Sequence, residues 1–156
     1  MPTSHDDELL EKYFTRRSDT ESVGSLKSNS RLILSVDDEP GILLTRQSIL
    51  ENAGYAVLSA SDGDQALSFF GAQPVDLVLL DFVMPGMDGG VVCREMKKRR
   101  PEVPVVMISC SQVEQDTLDC VDSFLRKGEG PALLLREIER LLASSHSKAG
   151  AAKRIT

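Results

Sequence analysis

The stretch LVLLDFVMPGMDG, residues 77–89, decides the fold of this chain. Its apolar start belongs to a strand-sized run, DLVLL at 76–80. That run is too uniform for a strand with one wet face and suits a parallel strand covered on both sides. The run stops at a carboxylate, Asp81. Further on, Asp88 can cap a helix that turns Val92 and Met96 inward. This helix ends in the cationic run KKRR ahead of Pro101, as the helix dipole prefers.

The same strand-then-helix unit recurs in both directions. Apolar strand candidates stand at 32–36 (LILSV), 56–60 (AVLSA), 103–108 (VPVVMI) and 123–126 (SFLR). The first helix has Pro40 near its start and Gly54 after its end, with Ile42, Ile49, Leu50 and Ala53 expected on one side. Asp62 can cap a second, carrying Ala66, Leu67 and Phe70 inward. The last has Pro131 near its first turn and Leu134, Leu135, Ile138, Leu141 and Leu142 on one face. Only the segment after Ser109 reads weakly, with a sparse stripe of Val113, Leu118 and Val121. Five βα units imply an α/β fold, a doubly wound parallel sheet with right-handed crossovers and helices on both faces. The flavodoxin-like strand order 2-1-3-4-5 is expected.

Composition agrees with one such domain. The chain has 156 residues, 41% of them hydrophobic and 27% charged, a globular balance. No apolar stretch approaches the length of a membrane span, and the acidic start MPTSHDDELL lacks the apolar core of a secretory signal. Residues 1–30 read as a flexible N-terminal extension in which Leu9, Leu10, Tyr13 and Phe14 could form a short amphipathic helix. Residues 31–143 form the domain, and 144–156 read as a loose basic tail. The domain holds 18 acids against 11 bases, and with 4% aromatics and no Trp it disfavours direct nucleic-acid binding. Cys93, Cys110 and Cys120 are irregularly spaced, which fits reduced thiols in a cytoplasmic protein better than a disulfide frame or a zinc site.

The residues just past each strand carry the chemistry. Strand one runs into Asp37-Asp38, strand three into Asp81, strand four into Ser109 and strand five into Lys127. In open α/β sheets, ligands bind beyond the carboxyl ends of the strands, near the point where strand order reverses. Each of these residues has a plain structural explanation as a cap, a turn or a solvated charge. Together, at four strand ends, they point to one site. Three carboxylates held close repel one another unless a cation shares the site. Oxygen-only ligands suit Mg²⁺. Such a site can neutralise a transferring phosphoryl group while a carboxylate attacks phosphorus.

Residues 31–143 resemble the receiver domain of two-component response regulators (CheY-like). The matching residues are VDDEPG at 36–41, LVLLDFVMPGMDG at 77–89, VVMIS at 105–109 and FLRK at 124–127. The resemblance implies that Asp81 accepts a phosphoryl group from a histidine kinase, a phosphotransfer protein or a small phosphodonor, assisted by Mg²⁺. Asp37, Asp38, Asp81 and the Val83 carbonyl would hold the metal. Ser109 and Lys127 would contact phosphoryl oxygens, and Phe124 would be the aromatic switch that responds to Ser109. Enzymatic turnover of other substrates is not implied. With no effector segment recognisable after residue 143, the readout is expected in a downstream effector protein, in self-association as a homodimer, or in the tails.

Four features depart from the family's pattern. Gly128 comes after Lys127 where a proline is usual, which changes the loop that places the lysine. The Ser109-to-Lys127 interval is about one helical turn short, so a truncated fourth helix is expected. Cys110 stands where Ala or Gly is commoner and is expected to be a small buried thiol. Val83 is apolar where a polar side chain could position hydrolytic water, so a long-lived phosphoryl-aspartate is expected. Two alternatives remain beside the phosphorylated receiver. One is a degenerate receiver serving as an unphosphorylated scaffold. The other is a haloacid-dehalogenase-like Mg²⁺ phosphatase, which the DDEP after strand one does not match.

Overall fold

The computed structural model describes residues 30–155; the helical stripe expected at Leu9 to Phe14 lies outside them. In chain order the elements are β1 (Leu32–Val36), α1 (Pro40–Asn52), β2 (Ala56–Ala60), α2 (Gly63–Ala72), β3 (Leu77–Asp81), α3 (Gly89–Arg99), β4 (Val105–Ser109), α4 (Gln115–Cys120), β5 (Ser123–Arg126) and α5 (Pro131–Ile155). The five strands form one parallel sheet in the order β2-β1-β3-β4-β5.

Because successive strand residues point to opposite faces, the sheet feeds two cores. Leu34, Val36, Val78, Leu80, Val105 and Met107 pack with Ala66 and Phe70 of α2 and with Val92 and Met96 of α3. Ile33, Leu77, Leu79, Val106 and Ile108 pack with Leu50 of α1 and with Ile138, Leu141 and Leu142 of α5. All five residues of β3 are buried, as its unbroken apolar run requires.

The helix starts obey local chemistry. Asp62 accepts a hydrogen bond from the Gln65 N–H at 2.7 Å and Asp88 one from the Val91 N–H at 3.0 Å, each satisfying a donor that the first helical turn leaves unpaired. The last turn of α3 carries Lys97, Lys98 and Arg99. Helix α4 has only six residues, the truncation that the short interval before Lys127 implies. Helix α5 continues past Ala143 to Ile155. No proline interrupts that stretch, and Ala, Lys and Arg are good helix formers.

One helix face departs from expectation. The buried residues of α1 are Leu43, Arg46 and Leu50, whereas Ile42 and Ile49 are half-buried and Ala53 is exposed. A hydropathy stripe passes over an arginine. Here the inward face includes one because its charge meets a buried acid.

Candidate functional site

Each site residue is delivered by the carboxyl end of a strand. Asp37 and Asp38 come directly after β1, Asp81 and Ser109 close β3 and β4, and Lys127 comes directly after β5. Strands β1 and β3 are neighbours and their crossovers leave toward opposite faces, so the acids converge where strand order reverses.

Asp37 is fully buried. Its own N–H donates to the Ala60 carbonyl at 3.1 Å, and its Oδ1 accepts from the Glu39 N–H at 3.0 Å. Its Oδ2 lies 3.2 Å from Lys127 Nζ and 3.5 Å from Arg46 Nη2. Neither contact is aligned as a hydrogen bond, which leaves this buried oxygen held by ion pairing alone. Asp81 is only 2% exposed. Its Oδ1 accepts from the Val83 N–H at 3.3 Å and its Oδ2 from Lys127 Nζ at 3.2 Å. Asp38 is exposed, and an oxygen of each of Asp37, Asp38 and Asp81 falls within 4.8 Å of the others.

These contacts set the protonation chemistry. Burial raises the Asp81 pKa above the usual carboxylate range, and the neighbouring Asp37 charge adds to it, while Lys127 pulls the other way. Burial works against the Lys127 charge. The attraction of Asp37 and Asp81 outweighs it, so the lysine pKa is raised overall. Burial lowers the Arg46 pKa against the opposing pull of Asp37 and Asp81.

Two glycine-dependent features make this geometry reachable. Lys127 N–H donates to the Ser109 carbonyl at 3.2 Å, and the chain then turns through Gly128 and Gly130 at φ +91° and +92°. A side chain at either position would be strained. With no cis peptide bond among the described residues, this turn places the ammonium on both acids although proline is missing after it. At Gly89, an added Cβ would sit 2.5 Å from the Asp81 carbonyl oxygen and 2.8 Å from Phe82 Cα. Only glycine lets α3 start this close to the acceptor strand.

The remaining candidates sit nearby in different states. Ser109 is buried, and its Oγ accepts from the Ser111 N–H at 3.0 Å. Phe124 is half-buried, in register with Met107, and packs against the core shared with α2 and α3. Val83 is 58% exposed and reaches Asp81 through its N–H. Cys110 corrects an expectation: it is exposed, not buried, because β4 ends at Ser109 and the chain leaves the sheet there. Arg46 is the site residue that the sequence pattern does not single out. Its signal is the i, i+3, i+7 spacing of Leu43, Arg46 and Leu50.

The donor set fits Mg²⁺. All three acids offer hard oxygen atoms, and the buried Asp37 Oδ2, ion-paired but accepting no aligned hydrogen bond, has lone-pair capacity left for a further cation.

Comparison with known proteins agrees. The family described as response regulator receiver domain matches residues 33–139, and this chain belongs to it: it contains a receiver domain of the two-component response regulators. The alkaline phosphatase synthesis transcriptional regulatory protein PhoP of Bacillus subtilis is 37% identical over 87 residues, which cover 56% of this chain and 36% of that protein. The chain spans about a third to a half of the length of the curated relatives it matches. Among solved structures, a CheY-like receiver domain protein of Methanospirillum hungatei superposes with a TM-score of 0.74 at 27% identity, covering 76% of this chain and 98% of that one. The response regulator TrrA of Thermotoga maritima, solved in complex with Mg²⁺-BeF, gives 0.68 at 28% identity, covering 71% and 98%. No helix among the described residues is long and apolar enough to cross a membrane.

Proposed function

We propose that Asp81 accepts a phosphoryl group from a histidine kinase, a phosphotransfer protein or a small phosphodonor, and that the new charge switches a protein-interaction surface. One observation carries this reading. The Asp81 carboxylate is buried at the end of β3, 3.2 Å from the Lys127 ammonium and grouped with two further acids.

An Asp81 oxygen attacks phosphorus, the bond from phosphorus to the donor's nitrogen or oxygen breaks, and the leaving group keeps the electron pair. The product is an acyl phosphate. Lys127 keeps Asp81 ionised against the cost of burial and then pairs with a phosphoryl oxygen. Asp37, Asp38, Asp81 and the Val83 carbonyl would hold Mg²⁺, which when bound neutralises phosphoryl oxygens. The acyl phosphate carries about −1.5 to −2 where the ionised carboxylate carried −1, so phosphorylation adds up to about one negative charge together with three strong acceptors. The Ser109 hydroxyl turns toward them and donates. Its displacement opens space on the β4–β5 side that Phe124 fills, altering the surface an effector protein or a second copy reads.

The test is intact mass after incubation with acetyl phosphate and Mg²⁺. The expected result is one adduct of about 80 Da, a single phosphoryl group, absent in Asp81→Asn. No adduct under these conditions would point instead to an unphosphorylated scaffold. Multiple turnover of a phosphate ester would point to a hydrolase.

A further inference from the structure

Arg46 is an unusual residue to find inside a domain. It lies midway along α1, is 6% exposed and occupies the inward face between Leu43 and Leu50. A guanidinium is almost never this buried without a partner. Its partners are Asp37 Oδ2 at 3.5 Å and the Ser35 hydroxyl at 3.3 Å. Both lie at or near the end of β1, so the cation approaches the acidic group from the α1 side while Lys127 reaches it from the β5 side.

Resting on the phosphoacceptor reading above, we propose that Arg46 is a resident counter-cation of the site. It is a positioning residue that holds Asp37 in the metal-free protein and weakens Mg²⁺ binding in the unphosphorylated site relative to the phosphorylated one. Charge counting gives the reason. Asp37, Asp38, Asp81 and Lys127 alone sum to −2, which a divalent ion cancels. With Arg46 the sum is −1, so the same ion leaves a positive site. Neutrality then needs the further negative charge that phosphorylation brings. Arg46 therefore moves the balanced state from the metal-loaded site to the metal-loaded, phosphorylated one. Together with Lys127 it also offsets the buried Asp37 charge in the apo protein, where a carboxylate short of counter-charge is costly.

The test compares the wild type with Arg46→Met, similar in length and uncharged, and with Arg46→Lys. Thermal melts are taken in chelator and in saturating Mg²⁺, and metal affinity is measured by calorimetry. Arg46→Met should melt several degrees lower in chelator and recover most of that loss in Mg²⁺. It should bind Mg²⁺ about tenfold more tightly, the size expected when a unit charge is removed from beside a double charge in a water-like medium. Arg46→Lys should stay near the wild type in both.

An equal melting loss with and without Mg²⁺, with unchanged affinity, would show that Arg46 only fills space and would overturn the proposal. If the wild type itself shows no Mg²⁺-dependent shift, the phosphoacceptor reading falls and this inference with it. If Arg46→Met fails to fold without metal, adding Asp37→Asn decides. Folding restored by removing the stranded carboxylate supports the ion-pair role, and folding not restored refutes it.

Discussion

Replacing Asp81 with Asn is expected to stabilise the metal-free protein at pH 7, although it removes a buried ion pair. The magnitude comes from the site's distances. Asp81 lies within 4.8 Å of an Asp37 oxygen, which at an effective dielectric near 20 costs at least about 3 kcal/mol; Asp38 is exposed, so its repulsion is largely screened. Lys127 at 3.2 Å returns about 5 kcal/mol on the same scale. The pairwise balance favours the ion by about 2 kcal/mol at most, and burial, the largest influence on this carboxyl, reverses it, so the Asp81 pKa is raised. Asn keeps the shape without the charge and retains one of the two hydrogen bonds that the carboxylate accepts from the Val83 N–H and Lys127.

For a domain of this size each net gain of about 1 kcal/mol corresponds to a Tm rise of roughly 3–6 °C. The sign with pH is fixed by linkage. An acid whose folded pKa lies above its unfolded value destabilises the fold when ionised. That penalty is full above the folded pKa, fades as pH falls through it, and is gone below the unfolded value of about 4. Melts of the wild type and Asp81→Asn in chelator, from about pH 8 down to about pH 4, should therefore converge toward the acid end. Saturating Mg²⁺ should close the gap at pH 7 by stabilising the wild type. An Asp81→Asn protein that melts lower at pH 7, or a gap indifferent to pH, would refute the claim that acid repulsion and burial outweigh the lysine.

Two further substitutions probe neighbouring parts of the site. Val83→Asn, at a position 58% exposed and two residues beyond the acceptor, should shorten the phosphoryl-aspartate half-life several-fold by offering a polar group to the attacking water; tracking loss of the adduct by mass after removing the donor checks this. Gly89→Ala places a methyl 2.5 Å from the Asp81 carbonyl oxygen and should cost about 1–3 kcal/mol as an overpacked contact, measured by denaturant titration, with a lower phosphorylated fraction because the end of β3 must shift.

Much of the architecture was legible in the residues because strands covered on both faces read as continuous apolar runs. LILSV and AVLSA match β1 and β2 residue for residue, and SFLR matches β5. The third run shifts by one, so that Asp81 is the last residue of the strand and not the first beyond it. The fourth begins at Val105, after Pro104, which has no N–H to give the ladder. The caps at Asp62 and Asp88 and the convergence of acids at strand ends were legible too, since both depend on local chemistry and strand order alone.

Packing across the fold decided the rest. Whether Lys127 reaches the acids depended on Gly128 and Gly130 both taking positive φ, a backbone path that composition permits but does not specify. Cys110 faces outward because the chain bends away from the sheet at Ser109, a matter of where a ladder ends. Arg46 shows the limit most clearly. Hydropathy counts an arginine as solvent-facing, but its charge is cancelled by an aspartate delivered from another element, and that pairing exists only once α1 has docked on β1.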